Sequence, residues 1–191
     1  MMSAANRRYH LALRILHWVI AALVIFQLII GGLVLSDMPA AEKFLPLRGH
    51  IMFGLTIGVL VLVRLLTRFT TTRPPKAKTG NVALDRLGST AHALFYVVLL
   101  AMVSTGIGIA VSAGLFGVFF GAGGSIPESF DALPPRAGHG LFAKILLTLI
   151  GLHVSGVIYH ELFLKDRLLT RMGFGRPRRS SGASTEGDQS R

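Results

Sequence analysis

Long stretches without a charged side chain constrain this chain more than any other feature of its sequence. Residues 15–36 contain no charged side chain, and neither do residues 87–127. About 20 apolar residues in a helix are enough to cross the ~30 Å hydrocarbon core of a bilayer. Only 15% of the chain is charged, whereas ordinary soluble domains contain about 25% charged residues. We therefore expect a helical protein that crosses a membrane several times.

The apolar stretches predict four membrane-spanning helices, over residues 11–35, 47–69, 85–112 and 138–164. The predicted fold class is all-α, a transmembrane four-helix bundle in a domain of residues 1–172. A basic, Ser- and Gly-rich tail at 173–191 is expected to be disordered. The first apolar run is too long for a signal peptide and lacks a small-residue cleavage site. The loop segment LFGVFFGAGG is apolar enough to lie against the membrane surface or to cover something else.

Lys and Arg are distributed unevenly between the two ends of the predicted helices. Sixteen of the 20 lie near the N-terminus, in residues 64–86 or near the C-terminus. The opposite end contains only Lys43, Arg48, Arg136 and Lys144. Because cytoplasmic loops collect Lys and Arg, we predict that both termini are cytoplasmic and that the 36–49 and 113–138 loops are periplasmic. The net charge of +11 then reflects membrane topology and lipid contact, and no nucleic-acid partner is expected.

Every predicted helix carries a histidine, a residue that is costly to place in lipid without a purpose. These histidines are His17, His50 and His92 on the first three helices, and His139, His153 and His160 on the fourth. His139 and His153 are 14 residues apart, which is about 21 Å along a helix. After 14 residues the side-chain direction returns to nearly the same face of the helix.

Two ligands of one metal must lie at similar depth on facing helices, as in other four-helix bundles. At the periplasmic end this pairs His50 with His139. At the cytoplasmic end His153 has two candidate partners, His17 and His92, and depth alone leaves both open.

The absence of cysteine excludes c-type haem attachment, iron–sulfur clusters and disulfides. Structural zinc usually takes four Cys or His ligands close together, whereas single histidines on separate helices suit haem held between two imidazoles. Several glycines would let a helix approach a flat ring or another helix: Gly54, Gly58, Gly106, Gly108, Gly151 and Gly156. A membrane protein without redox function is the alternative, which the matched depths of the histidines disfavour.

Five segments resemble the bacterial cytochrome b561 family of di-haem, quinone-linked membrane cytochromes, and the cytochrome b subunits of nickel hydrogenases and formate dehydrogenases. They are RILHW, GHIMFG, VLVRLLTR, LGSTAHALFY and the run from GH to GLHVSGVIYHELFLKDRLLTRM, spread over residues 9–172.

The resemblance implies a multi-pass protein of the bacterial inner membrane with two haems b. It implies that the inner haem iron is ligated by His17 and His153, and the outer haem iron by His50 and His139. It also implies that ubiquinone is a cofactor. The remaining candidates, His92 and His160, would then contact that quinone.

Two functions are compatible with this resemblance. Some members of the family are superoxide oxidases, which pass electrons from periplasmic superoxide through both haems to ubiquinone. Cations near the outer haem would steer the superoxide anion, and the candidates are Lys43, with Arg48, Arg136 and Lys144 nearest the ligands. In the alternative, the chain is the electron-transfer subunit that anchors a periplasmic dehydrogenase or reductase. Membrane lipid and the quinone pool are expected partners in either case.

Overall fold

The computed structural model describes residues 9–71, 81–121, 123–165 and 168–173, and this part of the chain contains only helices, turns and loops. The four long helices are α1 (Leu11–Ile29), α2 (Phe44–Thr70), α3 (Val82–Ser112) and α5 (Pro134–Tyr159). The short ones are a 3₁₀ turn (Ala40–Glu42), α4 (Leu115–Phe120) and α6 (Leu168–Arg171), and π-helical turns extend α1 (Ile30–Val34) and α5 (His160–Leu164). All four long helices, with their extensions, are long and apolar enough to cross a membrane. The predicted all-α transmembrane bundle is therefore confirmed.

Consecutive long helices pack side by side, α1 on α2, α2 on α3, and α3 on α5 over the largest contact. Ring contacts between α1 and α5 bring the first and last long helices together. Many large apolar side chains point outwards, among them Leu33, Leu45 and Val97, which are 74%, 73% and 62% exposed. Such a surface is unfavourable in water and is the surface expected of a bundle that contacts lipid.

Two apolar clusters hold the bundle together. The larger one joins α1, α2, α3 and α5 through Ile20, Val24, Ile57, Val61, Val98, Leu99, Leu146 and Leu149. The smaller one consists of Leu47, Ala110, Leu115 and Phe119. Through Leu115 and Phe119, α4 covers one end of the bundle, in agreement with the second of the two positions expected for this loop segment. Glycines with positive φ, Gly114 and Gly121, bracket α4, and only glycine adopts this backbone conformation without strain.

Three of the predicted helix starts, at residues 47, 85 and 138, were wrong, because the helices begin three or four residues earlier. In two of these helices, α2 and α5, a proline in the first turn explains the earlier start. Pro46 lies in the first turn of α2 and Pro134 opens α5, positions where the missing N–H costs nothing because it would have no partner inside the helix. In α3 the start is set by Asn81, whose side-chain oxygen accepts from the Ala83 and Leu84 N–H groups at 2.9 and 3.4 Å.

The segment that follows α5 folds back against the start of α1. The Trp18 indole donates to the Met172 carbonyl at 3.1 Å, and the Glu161 carboxylate accepts from the Leu169 N–H at 2.7 Å. This end of the bundle is therefore closed by the chain's own C-terminal segment. The predicted disordered tail, apart from Gly173, lies outside the described residues, so its disorder stays a prediction.

Candidate functional site

Two histidines from α2 and α5 face each other at the end of the bundle that α4 covers. The ring centroids of His50 and His139 are 6.3 Å apart, and the ring planes meet at 73°. A metal–imidazole nitrogen bond is about 2 Å long, so two rings on opposite sides of one metal ion have centroids roughly 6 Å apart. The pair has the separation that one metal ion between the rings requires.

A second histidine pair lies at the other end, where His153 of α5 has two neighbours. The His17 ring centroid is 6.2 Å away with an interplanar angle of 73°, and the His92 ring centroid is 5.3 Å away at 76°. The pair of His17 and His153 thus repeats the geometry of His50 and His139 almost unchanged. The rings of His92 and His153 lie closer and leave less room for a metal ion, so the geometry favours His17 as the partner.

Hydrogen bonds orient the His139 ring. Its Nδ1 lies 3.1 Å from the Met102 carbonyl oxygen and 3.2 Å from the Thr105 hydroxyl. A carbonyl oxygen can only accept, so Nδ1 carries the proton and Nε2 keeps its lone pair. This is the tautomer in which Nε2 is the ligand and the other nitrogen is held by a hydrogen bond. The ring packs against Gly106, where a Cβ would lie 3.3 Å from Cε1.

The surroundings of His50 differ from those of His139. Its Nδ1 is buried and has no hydrogen-bond partner among the described residues. Its backbone carbonyl accepts from the Gln27 amide nitrogen at 2.6 Å. Its ring lies directly on Gly31 in the π-helical extension of α1, where a Cβ would come within 2.9 Å of Cε1, so a side chain at position 31 would force the ring to shift.

The six glycines singled out in the sequence serve different purposes. A Cβ added at Gly58 would lie 3.0 Å from Val103, and one added at Gly108 would lie 3.2 Å from Pro135. These two glycines therefore allow close packing between helices. Gly106 and Gly54 instead lie beside His139 and Gln27. At Gly151 and Gly156 a Cβ would meet no atom within 4 Å. The expected helix-packing role therefore occurs at Gly58 and Gly108, and close approach of the glycines to a flat haem ring stays a prediction.

The chemistry of these donors fits a b-type haem. In the described part of the chain, no three side chains of His, Cys, Asp or Glu converge to hold a metal ion, which leaves the zinc alternative without its ligand set. Two imidazoles that face each other at this separation, with one Nδ1 held by a carbonyl, would suit haem iron held between two histidines.

The four cations predicted to steer an anion lie in different environments. Arg136 forms an ion pair with Asp131 at 3.7 Å, so much of its charge is neutralised. It lines a shallow cavity, together with the exposed Lys144. The Arg48 guanidinium lies over the Phe120 ring, 5.8 Å from its centroid. Lys43 is only 7% exposed, so it presents little charge to solvent.

The two histidines assigned to a quinone lie at the end that holds His17 and His153. The exposed side chain of His92 contacts His153, as given above. His160 begins the π-helical turn after α5, with the Tyr159 ring 6.3 Å away. Single π-helical turns inside helices are frequent at functional positions.

Three residues near the candidate ligands were not predicted from the sequence: Gln27, Gly31 and Thr105. Gln27 could have been predicted from the sequence, because an amide inside the uncharged apolar run 15–36 needs a partner in the membrane. Gly31 and Thr105 could not, since glycine and threonine are common in membrane helices.

Comparisons with known proteins identify the family of this chain. A family profile described as prokaryotic cytochrome b561 matches residues 8–175. Cytochrome b562 of Cereibacter sphaeroides is 31% identical over 162 residues, which is 82% of this chain and 89% of that protein. The probable superoxide oxidase CybB of Yersinia pestis is 27% identical over 165 residues, which is 82% of this chain and 90% of that protein. The chain therefore belongs to the prokaryotic cytochrome b561 family and is a multi-pass bacterial membrane cytochrome that binds haem b and transfers electrons.

Proposed function

We propose that this cytochrome holds two haems b and oxidises superoxide at the periplasmic face while it reduces ubiquinone near the cytoplasmic face. The observation that carries the proposal is the repeated geometry of two histidine pairs, with ring separations of 6.3 and 6.2 Å at opposite ends of one bundle. When bound, haem supplies a one-electron carrier at each end. The overall reaction converts two superoxide anions, one ubiquinone and two protons into two dioxygen molecules and one ubiquinol.

The chain's own residues hold the carriers in place. His50 and His139 would ligate the outer haem iron, and His17 and His153 the inner one. The Met102 carbonyl keeps the proton of His139 on Nδ1, so that Nε2 stays available. The apolar cluster between the two pairs keeps water out of the middle of the bundle.

Residues at the outer rim would attract the donor. Superoxide is an anion, and unpaired cations at a cleft raise the rate at which a small anion arrives. In the described part of the chain, Arg48 and Lys144 have no carboxylate within ion-pair distance, whereas Arg136 does. The name of the Yersinia pestis relative supports superoxide as the donor.

Residues at the inner end would bind the acceptor. His92 and His160 can each donate a hydrogen bond to a quinone carbonyl and pass on a proton, as imidazoles near neutral pH do. The segment pinned by Glu161 and Trp18 would form the floor of that site.

The purified chain tests this proposal in a stopped-flow experiment with a superoxide source. We expect rapid haem reduction that slows as salt is added, because salt screens the attraction over about 10 Å at 0.1 M. Replacing both Arg48 and Lys144 by Gln should lower the bimolecular rate by roughly tenfold at low salt.

The matched control is Arg86→Gln, an exposed arginine at the start of α3, which should leave the rate unchanged. Haem that is reduced only after a periplasmic dehydrogenase or reductase is added would overturn superoxide as the donor and favour the subunit alternative.

A further inference from the structure

The most deeply buried side-chain amide in the described part of the chain is that of Gln27, which is only 8% exposed. It lies near the C-terminal end of α1, within a membrane-spanning segment where every polar group needs a partner. Its Nε2 donates to the His50 carbonyl oxygen at 2.6 Å. Because that carbonyl can only accept, the NH₂ group must face it and Oε1 must point the other way.

Among the described residues, two buried polar atoms are left without partners at this contact, and they are complementary. Gln27 Oε1 is an acceptor with no donor in this part of the chain, and His50 Nδ1 has no hydrogen-bond partner there. The His50 ring lies on Gly31, which is one helical turn after Gln27 on the same face of α1. The amide and the imidazole therefore share one face of α1. Rotation of the amide about its last torsion, which is a soft one, would break the Nε2 hydrogen bond to the His50 carbonyl and free Oε1 to approach His50 Nδ1, and it leaves the helix backbone unchanged.

His139, the other histidine of the pair, has the Nδ1 acceptor that His50 lacks among the described residues. His139 Nδ1 already has a carbonyl acceptor, the oxygen of Met102. If both rings bind iron through Nε2, both Nδ1 atoms carry a proton, and a metal-bound histidine almost always donates this proton to an acceptor.

We propose that Gln27 is a positioning residue of the outer haem site, whose Oε1 accepts the Nδ1 proton of His50 when that ring ligates iron. The proposal deepens the haem assignment above and rests on it. A hydrogen bond to a ligand imidazole makes the ring a stronger donor and favours ferric iron, so Gln27 sets the reduction potential of this haem as well as the ring orientation.

The test compares two substitutions that affect the acceptor in opposite ways. Gln27→Leu removes the acceptor at similar size, and Gln27→Glu replaces it by a stronger one. In an optical redox titration of the purified full chain, we expect the outer haem potential to rise in the Leu variant and to fall in the Glu variant. The inner haem potential should stay constant. The outer haem should transfer to apomyoglobin roughly tenfold faster, or more, from the Leu variant than from the unmodified chain.

Thr56→Val is the matched control, because the exposed Thr56 on α2 bonds only its own helix, at the Met52 carbonyl. It should change neither potential. Potential shifts of the same sign in both Gln27 variants, or no shift in either, would overturn the proposal. A side chain that only fills space would not move the outer haem potential in opposite directions in the two variants. A chain that binds no haem at the outer end would instead refute the haem assignment, and the haem count of the unmodified chain shows this separately.

Discussion

At the scale of single residues, the ring separations differ between the two histidines that lie beside His153. His17 and His92 both lie beside His153, yet only His17 reproduces the ring separation of the pair at the other end. The difference of about one ångström in ring separation favours His17, because metal–nitrogen bonds vary by only about 0.2 Å. His92 is then available for hydrogen bonding to a second molecule.

This difference predicts distinct outcomes for two alanine variants. His17→Ala should bind one haem fewer per chain, because the iron loses an axial ligand. His92→Ala should keep the full haem count and should slow haem re-oxidation by ubiquinone by about 10²-fold, as expected for loss of a proton-transferring group. Pyridine haemochrome analysis and stopped-flow re-oxidation measure the two effects. Loss of haem from the His92 variant, with retention in the His17 variant, would reverse the assignment of the inner ligand.

At the scale of helices, close approach depends on glycine at a few contacts and not at others. α1 changes to a π-helical turn over Ile30–Val34, and Gly31 within it lies against the His50 ring. The next residue, Gly32, has nothing within 4 Å of the position of a Cβ. The two adjacent glycines therefore differ in function although they look alike in the sequence.

A matched pair of substitutions tests this difference. Gly31→Ala should push the His50 ring out of place and cost about 1–3 kcal/mol, as overpacking does. It should also weaken retention of the outer haem. Gly32→Ala should leave haem retention unchanged. Thermal unfolding followed by haem absorbance gives the stability and the haem retention of each variant. Equal stability and equal haem retention in the two variants would show that the Gly31 contact does not constrain the His50 ring.

At the scale of the whole molecule, the chain has two chemically different ends. One is covered by α4 and carries His50 and His139. The other is closed by α6 and carries His17, His92 and His153. Most Lys and Arg residues lie in sequence near the second end, and this imbalance predicts that it faces the cytoplasm. The outer pair then faces the periplasm, as a periplasmic electron donor requires.

Fusion reporters test the predicted orientation. Green fluorescent protein joined to the C-terminus should fluoresce, because it matures when left in the cytoplasm, whereas alkaline phosphatase joined there should be inactive. Alkaline phosphatase inserted between residues 128 and 132 should be active. The opposite pattern would place the His50 and His139 pair on the cytoplasmic side and remove superoxide in the periplasm as the donor.

The sequence by itself determined the fold class, the four membrane-spanning helices and the candidate ligands. Apolar length and histidine spacing along a helix are local properties, and a helix converts them directly into depth in the membrane. The pairing of His50 with His139 could be expected for the same reason, because each was the candidate nearest that end on its helix.

The tertiary structure alone indicated which of His17 and His92 has the spacing of a ligand pair. It also revealed the roles of Gln27, Gly31 and the Met102 carbonyl. These features depend on how neighbouring helices are rotated about their axes and how closely their backbones approach. Such quantities arise from packing between distant segments, and no pattern within a single helix records them.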